Sequence, residues 1–290
     1  VTTVVVIGAT GQLGADCLEA FATERVIGLS HEEIEIGDPA SVRRALVPLA
    51  PEVVVNTAAF LDVPACERDP DRAYRLNAVA PRTIARLCAE LGARLVHIST
   101  DYVFDGSKGT PYVESDRPGP LNTYAASKLA GEYEVLASDG RHQVVRSSGL
   151  YGVRPCRGKG GSFLDTILAQ AARDPVVRVV NDEVLTPTWT CSLAGQLRTL
   201  ALEGPGGLFH ATDHGWCSWF EFTRELFALL GVRTQLEGVS ARTLDSPVRR
   251  PAYSVLQNAA LEALGMDRMR PWRESLAACL RRREGTVVPS

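Results

Sequence analysis

Tyr124 and Lys128 stand four apart in the run Tyr-Ala-Ala-Ser-Lys. On a helix that spacing sends both side chains out of one face. A phenol beside an ammonium group is equipped to protonate a carbonyl oxygen, because the positive charge favours the phenolate and makes the phenol a better acid. The same lysine can hold the ribose of a cofactor. Such a pair also occurs on many solvated helix faces, so its weight depends on its surroundings. Thr100 supplies part of that context. It follows the apolar run 95–98, where a strand would end, and a hydroxyl there can orient the same carbonyl oxygen.

The second constellation is Gly8-Ala9-Thr10-Gly11-Gln12-Leu13-Gly14, between the apolar run 4–7 and a helical pattern. Glycines at this spacing let backbone N–H groups and a helix N-terminus face a pyrophosphate with no side chain in the way. Gly8, Thr10, Gly11, Gln12, Leu13 and Gly14 are therefore candidate dinucleotide contacts. The acid that accepts from a ribose 2′-OH is expected at the end of the second strand. Here that end reads Leu29-Ser30-His31. With no carboxylate to repel a 2′-phosphate and with Ser30 and His31 as donors, NADPH is favoured over NADH. Glu32 and Glu33 follow at once and keep NADH open. Asp38 serves either as an acceptor for the adenine amino group or as a helix N-cap.

Elements that can position these residues are legible as short apolar runs at 4–7, 26–29, 53–55, 95–98 and 144–145, the pattern of buried parallel strands. Helical patterns lie between them at 13–22, 39–49, 71–91 and 124–136, the last preceded by Asn122 as a cap. The alternation predicts an α/β fold, a doubly wound parallel sheet of Rossmann type over residues 1–150. Residues 151–290 are expected to form mostly a smaller C-terminal substrate-binding lobe, with a helix over 163–173. A strand over 207–212 is expected to rejoin the first sheet.

At 290 residues and 45% hydrophobic, the chain can bury a large core unaided. A formal charge of -3 without basic runs argues against nucleic acid and for a small-molecule partner. Seven scattered cysteines with no C-x-x-C pair read as buried thiols. The chain opens into a strand without a basic leader, and no apolar stretch approaches the ~18 residues of a membrane span. A soluble cytoplasmic protein is expected, either monomer or homodimer. His210 and His214 flank Asp213, but no helix is predicted there to converge the rings, so no metal is expected. Arg154, Arg157 and Lys159 offer a basic loop, and Arg249 and Arg250 before Pro251 a second diphosphate candidate.

Taken together, the glycine turn, Asn56-Thr57-Ala58-Ala59, Leu76-Asn77-Ala78, Ser99-Thr100-Asp101-Tyr102-Val103-Phe104-Asp105-Gly106, Pro120-Leu121-Asn122-Thr123-Tyr124 and Lys128-Leu129-Ala130-Gly131-Glu132 resemble the extended short-chain dehydrogenase/reductases. Within that superfamily the sequence resembles the dTDP-4-dehydrorhamnose reductase family. The resemblance implies an oxidoreductase that reduces the 4-keto group of a nucleotide-linked deoxysugar. It makes Thr100, Tyr124 and Lys128 the catalytic set, with Ala58, Ala59 and Asn77 on the cofactor side. Leu61, Val63, Thr100, Gly149, Ser162, Phe163 and Arg250 fall where substrate contacts are expected. The family commonly has tryptophan where this chain has Gly149, which implies a pocket widened there. Leu61 and Ser162 also depart from the pattern, so the sugar itself stays open. Related dehydratases follow the threonine with Asp-Glu; Tyr102 stands in the glutamate's place here, which favours plain reduction. Two other readings remain: a non-catalytic dinucleotide-binding regulatory subunit, and an epimerase or dehydratase that retains NAD.

Overall fold

The valines at 4, 5 and 6 have no exposed surface, as a strand covered on both faces requires. In the computed structural model, which describes residues 1–154, 161–243, 246 and 248–286, they form the strand β1 (Thr3–Ile7). β1 lies inside a six-stranded parallel sheet with β2 (Arg25–Leu29), β3 (Val53–Asn56), β4 (Arg94–Thr100) and β5 (Gln143–Ser147). The sixth strand, Gly207–His210, pairs with β5. Across the sheet the order is Gly207–His210, β5, β4, β3, β1, β2. The order reverses beside β1, and in open α/β sheets ligands bind at the strands' carboxyl ends near such a switch point.

Helices cover both faces. On one face α1 (Gln12–Ala20) packs on the helix Thr190–Glu203, joining Leu13, Cys17 and Phe21 to Leu193, Leu197 and Leu200. On the other, α2 (Pro39–Leu46) and α5 (Ala80–Leu91) bring Val42, Leu46, Ile84, Leu87 and Cys88 against Val5, Val54 and Leu95. Each fully buried aliphatic side chain contributes roughly 1.5–3 kcal/mol. A third cluster, with Tyr151, Leu164, Val177, Phe222 and Trp272, is the core of the smaller lobe.

The single helix expected over 71–91 is interrupted. Two short helices, α3 (Val63–Arg68) and α4 (Pro70–Tyr74), lead into a π-helical turn, Arg75–Val79, before α5. Pro81 lacks the N–H that the Asn77 carbonyl would otherwise receive from four residues on. That carbonyl turns toward α6 (Thr123–Leu136), where a Cβ on Gly131 would stand 2.1 Å from it. Proline and glycine together thus allow a close helix crossing beside the candidate site.

The sheet takes its sixth strand from beyond the lobe helix α7 (Phe163–Arg173), so residues 1–150 do not contain the whole sheet. Among the described residues no helix is long and apolar enough to cross a membrane, and six cysteines are free thiols.

Candidate active site

The glycine turn has the shape a phosphate needs. Gly8 has a φ of +82°, and a Cβ there would stand 2.7 Å from the Thr57 hydroxyl. A Cβ on Gly14 would lie 2.2 Å from the Gly8 carbonyl. Helix α1 starts after Gly11 with no side chain bonded to its first N–H groups, which leaves those donors to an anionic ligand. These residues fit a dinucleotide diphosphate. Thr10 is exposed at the tip of the turn. Leu13 puts its side chain into the core beneath α1, leaving only its backbone for a ligand. Gln12 is buried and donates to the Arg154 carbonyl at 2.8 Å.

At the end of β2 the Ser30 N–H is bonded by the Glu33 carboxylate at 2.7 Å, a bond that lowers the carboxyl's pKa. His31 is exposed, 3.7 Å from Glu35. Asp38 caps α2, accepting from Ala40 N at 2.9 Å. Ala58 and Ala59 are half-buried after β3, with the Ala58 N–H held by Asn56 Oδ1 at 3.1 Å. Asn77 has no exposed surface: it bonds the Phe60 N–H at 2.8 Å, the Phe60 carbonyl at 3.1 Å and Ser127 at 3.1 Å. It shapes the loop after β3 from behind and leaves direct contacts to the loop.

Tyr124 lies in the first turn of α6. That turn is fixed by Asn122, whose side chain accepts from Ala125 N and donates to the Arg249 carbonyl, both at 2.9 Å, and by Glu67, which accepts from Thr123 N at 2.6 Å. Tyr124 shares an apolar cluster with Val63 and Val248, against which Leu61 and Tyr102 pack, and the Tyr102 ring stands edge-on to it at 6.2 Å between centroids. Thr100 ends β4, 7% exposed, and its hydroxyl contacts Asp101 Oδ1 at 3.1 Å.

Lys128 is 2% exposed. It donates to the Ile98 carbonyl at 2.6 Å and lies 3.3 Å from His97 Nε2. Burial lowers its pKa to about 8, while Glu132, one turn on, pushes it up. Glu132 is itself buried, accepting from Arg146 at 2.6–3.1 Å and from Ser99 at 2.5 Å. His97 is held neutral by burial and the nearby lysine. It reaches Asn56 at 3.2 Å, so a buried chain of contacts runs from the loop after β3 to Lys128.

One expectation for the substrate side needs correction. Gly149 does not open a pocket where a tryptophan would stand. Its φ is +54°, and a Cβ would come within 2.6 Å of Leu185 and 3.1 Å of Pro187. The glycine is demanded by the backbone, and the space beside it is filled. Ser162 spends its hydroxyl on the capping box of α7 with Asp165, and Phe163 packs on Trp219 at 4.3 Å in the lobe core. Arg250 is exposed, near Tyr102 and Glu183. Arg154 pairs with Glu19 at 3.3 Å, while Arg157 and Lys159 lie outside the described residues. His210 is buried, bonded to the Tyr112 and Gln257 carbonyls, and its pKa falls to about 3. His214 instead meets Asp267 at 3.5 Å.

Sequence reasoning left His97, Asp101, Ser148 and Ser254 without a role. Asp101 was within reach, being part of the most specific block. Ser254, 153 residues away, carried no signal.

The profile of the family described as the RmlD substrate binding domain matches residues 2–284. The chain is 38% identical over 299 residues to dTDP-4-dehydrorhamnose reductase of Streptomyces griseus, covering 98% of this chain and 96% of that protein. It is 37% identical over 285 residues to the spore coat polysaccharide biosynthesis protein SpsK of Bacillus subtilis, covering 97% and 98%. Among solved structures, dTDP-4-dehydrorhamnose reductase of Bacillus anthracis in complex with NADP superposes with a TM-score of 0.92 at 31% identity, covering 97% of this chain and 99% of that one. With the match running nearly end to end over the chain, the chain belongs to the RmlD substrate binding domain family.

Proposed function

We propose that this protein reduces the 4-keto group of a nucleotide-linked 6-deoxysugar at the expense of NADPH. The observation that carries the reading is Tyr124, fixed in the first turn of α6 beside an apolar wall, with Lys128 buried one turn below. Relatives named for dTDP-4-dehydrorhamnose reduction support it.

Gly8, Gly11, Gly14 and the open start of α1 would hold the diphosphate, with Thr10 at the tip of the turn and Gln12 packed behind it. Ala58 and Ala59 would line the cofactor, and Asp38 would meet the adenine end. Ser30 and His31 would face the 2′-phosphate, the exposed His31 offering a ring nitrogen to it. Bound reduced nicotinamide supplies the hydride that reaches the carbonyl carbon. Tyr124 gives its phenolic proton to the ketone oxygen, so that the C=O becomes CH–OH and the tyrosine becomes a phenolate. The Lys128 ammonium stabilises that phenolate, and Thr100 orients the oxygen. Leu61, Val63, Tyr102 and Val248 offer an apolar wall suited to the methyl group of a 6-deoxysugar. Arg250 is placed for the diphosphate.

Tyr102 also speaks against elimination of water. A phenol stands where the related dehydratases carry a glutamate, and burial raises its pKa from the ordinary value, so the carboxylate acid–base pair that expels water is missing. The test is to supply purified protein with NADPH and dTDP-4-dehydro-6-deoxy-L-mannose and follow cofactor absorbance. Consumption matched by product supports the reading; none with this or any 4-ketosugar nucleotide rejects it. An NADH comparison in the same assay checks the cofactor, with a lower KM expected for NADPH.

A further inference from the structure

The end of β2 sits directly against the glycine turn, because the Leu29 carbonyl accepts the Gly8 N–H at 3.0 Å and the Ala9 N–H at 3.1 Å. A dinucleotide whose diphosphate lies on that turn brings its adenosine ribose to the next residue, Ser30. The donors there are already engaged. The chain reverses over 30–34, with the Ser30 carbonyl accepting from Glu33 N and Ile34 N, both at 3.1 Å. That reversal folds the Glu33 carboxylate back onto the Ser30 N–H at 2.7 Å. The Ser30 N–H and the Ser30 hydroxyl together hold the Glu33 carboxyl below the ordinary carboxylate range, so it is an anion at neutral pH.

Nothing nearby in the sequence offsets that charge. His31 lies 3.7 Å from Glu35, and Arg44 3.5 Å from Asp38. From 30 to 38 the chain carries Glu32, Glu33, Glu35 and Asp38, with neither lysine nor arginine among them. A ribose 2′-phosphate brings about two negative charges and only accepts hydrogen bonds, so to reach the Ser30 donors it must displace the Glu33 carboxylate. A ribose 2′-hydroxyl has a hydrogen to give. The Glu33 carboxylate has lone pairs beyond those that Ser30 uses and can accept it. One side chain therefore opposes the phosphorylated ribose and suits the unphosphorylated one.

We propose that Glu33 sets the cofactor preference of this protein: its carboxylate accepts the ribose 2′-hydroxyl of NADH and competes with the 2′-phosphate of NADPH for the Ser30 donors. The preference for NADPH that Ser30 and His31 provide is then narrower than those donors alone would give. The inference rests on the dinucleotide site proposed above and names the residue that decides between its two ligands.

The experiment titrates NADPH and NADH separately into the full chain and follows binding by nicotinamide fluorescence, so no sugar is needed. Glu33→Ala should lower the Kd for NADPH about three- to tenfold and raise the Kd for NADH about threefold. Glu33→Gln keeps an acceptor for the Ser30 N–H and removes only the charge. It should gain on NADPH while holding NADH within about twofold of the parent. Its gain on NADPH should shrink as salt is added, because repulsion between exposed charges is screened; a role confined to shaping the turn would not show this. Both Kd values moving by the same factor in the two variants, or a ratio unchanged from the parent, would overturn the proposal. A parent that binds both dinucleotides but reduces no ketosugar nucleotide removes the ketoreductase reading, and the Kd ratio still decides the role of Glu33. Binding of neither dinucleotide would remove this inference together with the cofactor reading.

Discussion

At the scale of single residues, the chemistry turns on how far burial and neighbouring charges move a proton. Lys128 is nearly enclosed, and burial brings its pKa down to about 8. Its charge is present below that value and lost as pH rises through it. In the proposed mechanism the ammonium stabilises the Tyr124 phenolate, so kcat for reduction should decline above about pH 8. A pH profile of kcat at saturating substrate checks this, and a flat profile well beyond that value would contradict it. Glu132 lifts the Lys128 pKa, but it also neutralises the buried Arg146. Glu132→Ala would leave Arg146 uncompensated and should cost about 3–5 kcal/mol in urea unfolding. Tyr124, Lys128 and Thr100 were legible in the sequence because helix periodicity and strand ends are local features. The hydroxyls that meet on Asp101 were not, since Ser148 and Ser254 lie 47 and 153 residues away. Gly149 was misread because a glycine replacing a bulky residue looks like added space, whereas here it answers a left-handed φ and a crowded Cβ position.

At the scale of elements, α6 is the part on which the site depends. Its first turn is tied down by Asn122 and Glu67, and its middle approaches the π-helical turn through Gly131. Gly131→Val should force the helix off Asn77 and cost about 1–3 kcal/mol. Activity should fall as well, because Asn77 holds the Phe60 backbone. Thermal unfolding and kcat measured together check this, and a variant unchanged in both would refute the role given to this crossing. The strands of the sheet and the helix over 163–173 could be read from apolar runs and periodicity. The interruption of the 71–91 pattern could not. Its cause, Pro81, removes a donor from a carbonyl four residues earlier, and the gain appears only when a helix from elsewhere in the chain packs there. Ser-Phe-Leu-Asp at 162–165 also spells a helix cap with its acidic third residue, and the structure uses Ser162 that way.

At the scale of the whole molecule, the sheet is completed by a strand that follows the first part of the lobe, and α1 packs on the helix Thr190–Glu203. A chain ending at residue 150 would leave β5 as an edge and expose the apolar face of α1. It should fail to show a cooperative unfolding transition by circular dichroism, and a sharp transition would contradict the interlocked architecture. The same architecture brings the glycine turn, Thr100, Tyr124 and a segment from near residue 250 to one end of the sheet. Net hydride transfer at that place is the step on which the proposed function rests. The most direct measurement supplies NADPH deuterated on the transferred face of nicotinamide C4, together with dTDP-4-dehydro-6-deoxy-L-mannose, and locates the label by NMR. The account predicts one deuterium on sugar C4 with stoichiometric cofactor oxidation. Tyr124→Phe should still bind cofactor while losing about 10²–10⁴ in rate. Sugar converted without label or net cofactor use, or a Tyr124→Phe variant as fast as the parent, would contradict it.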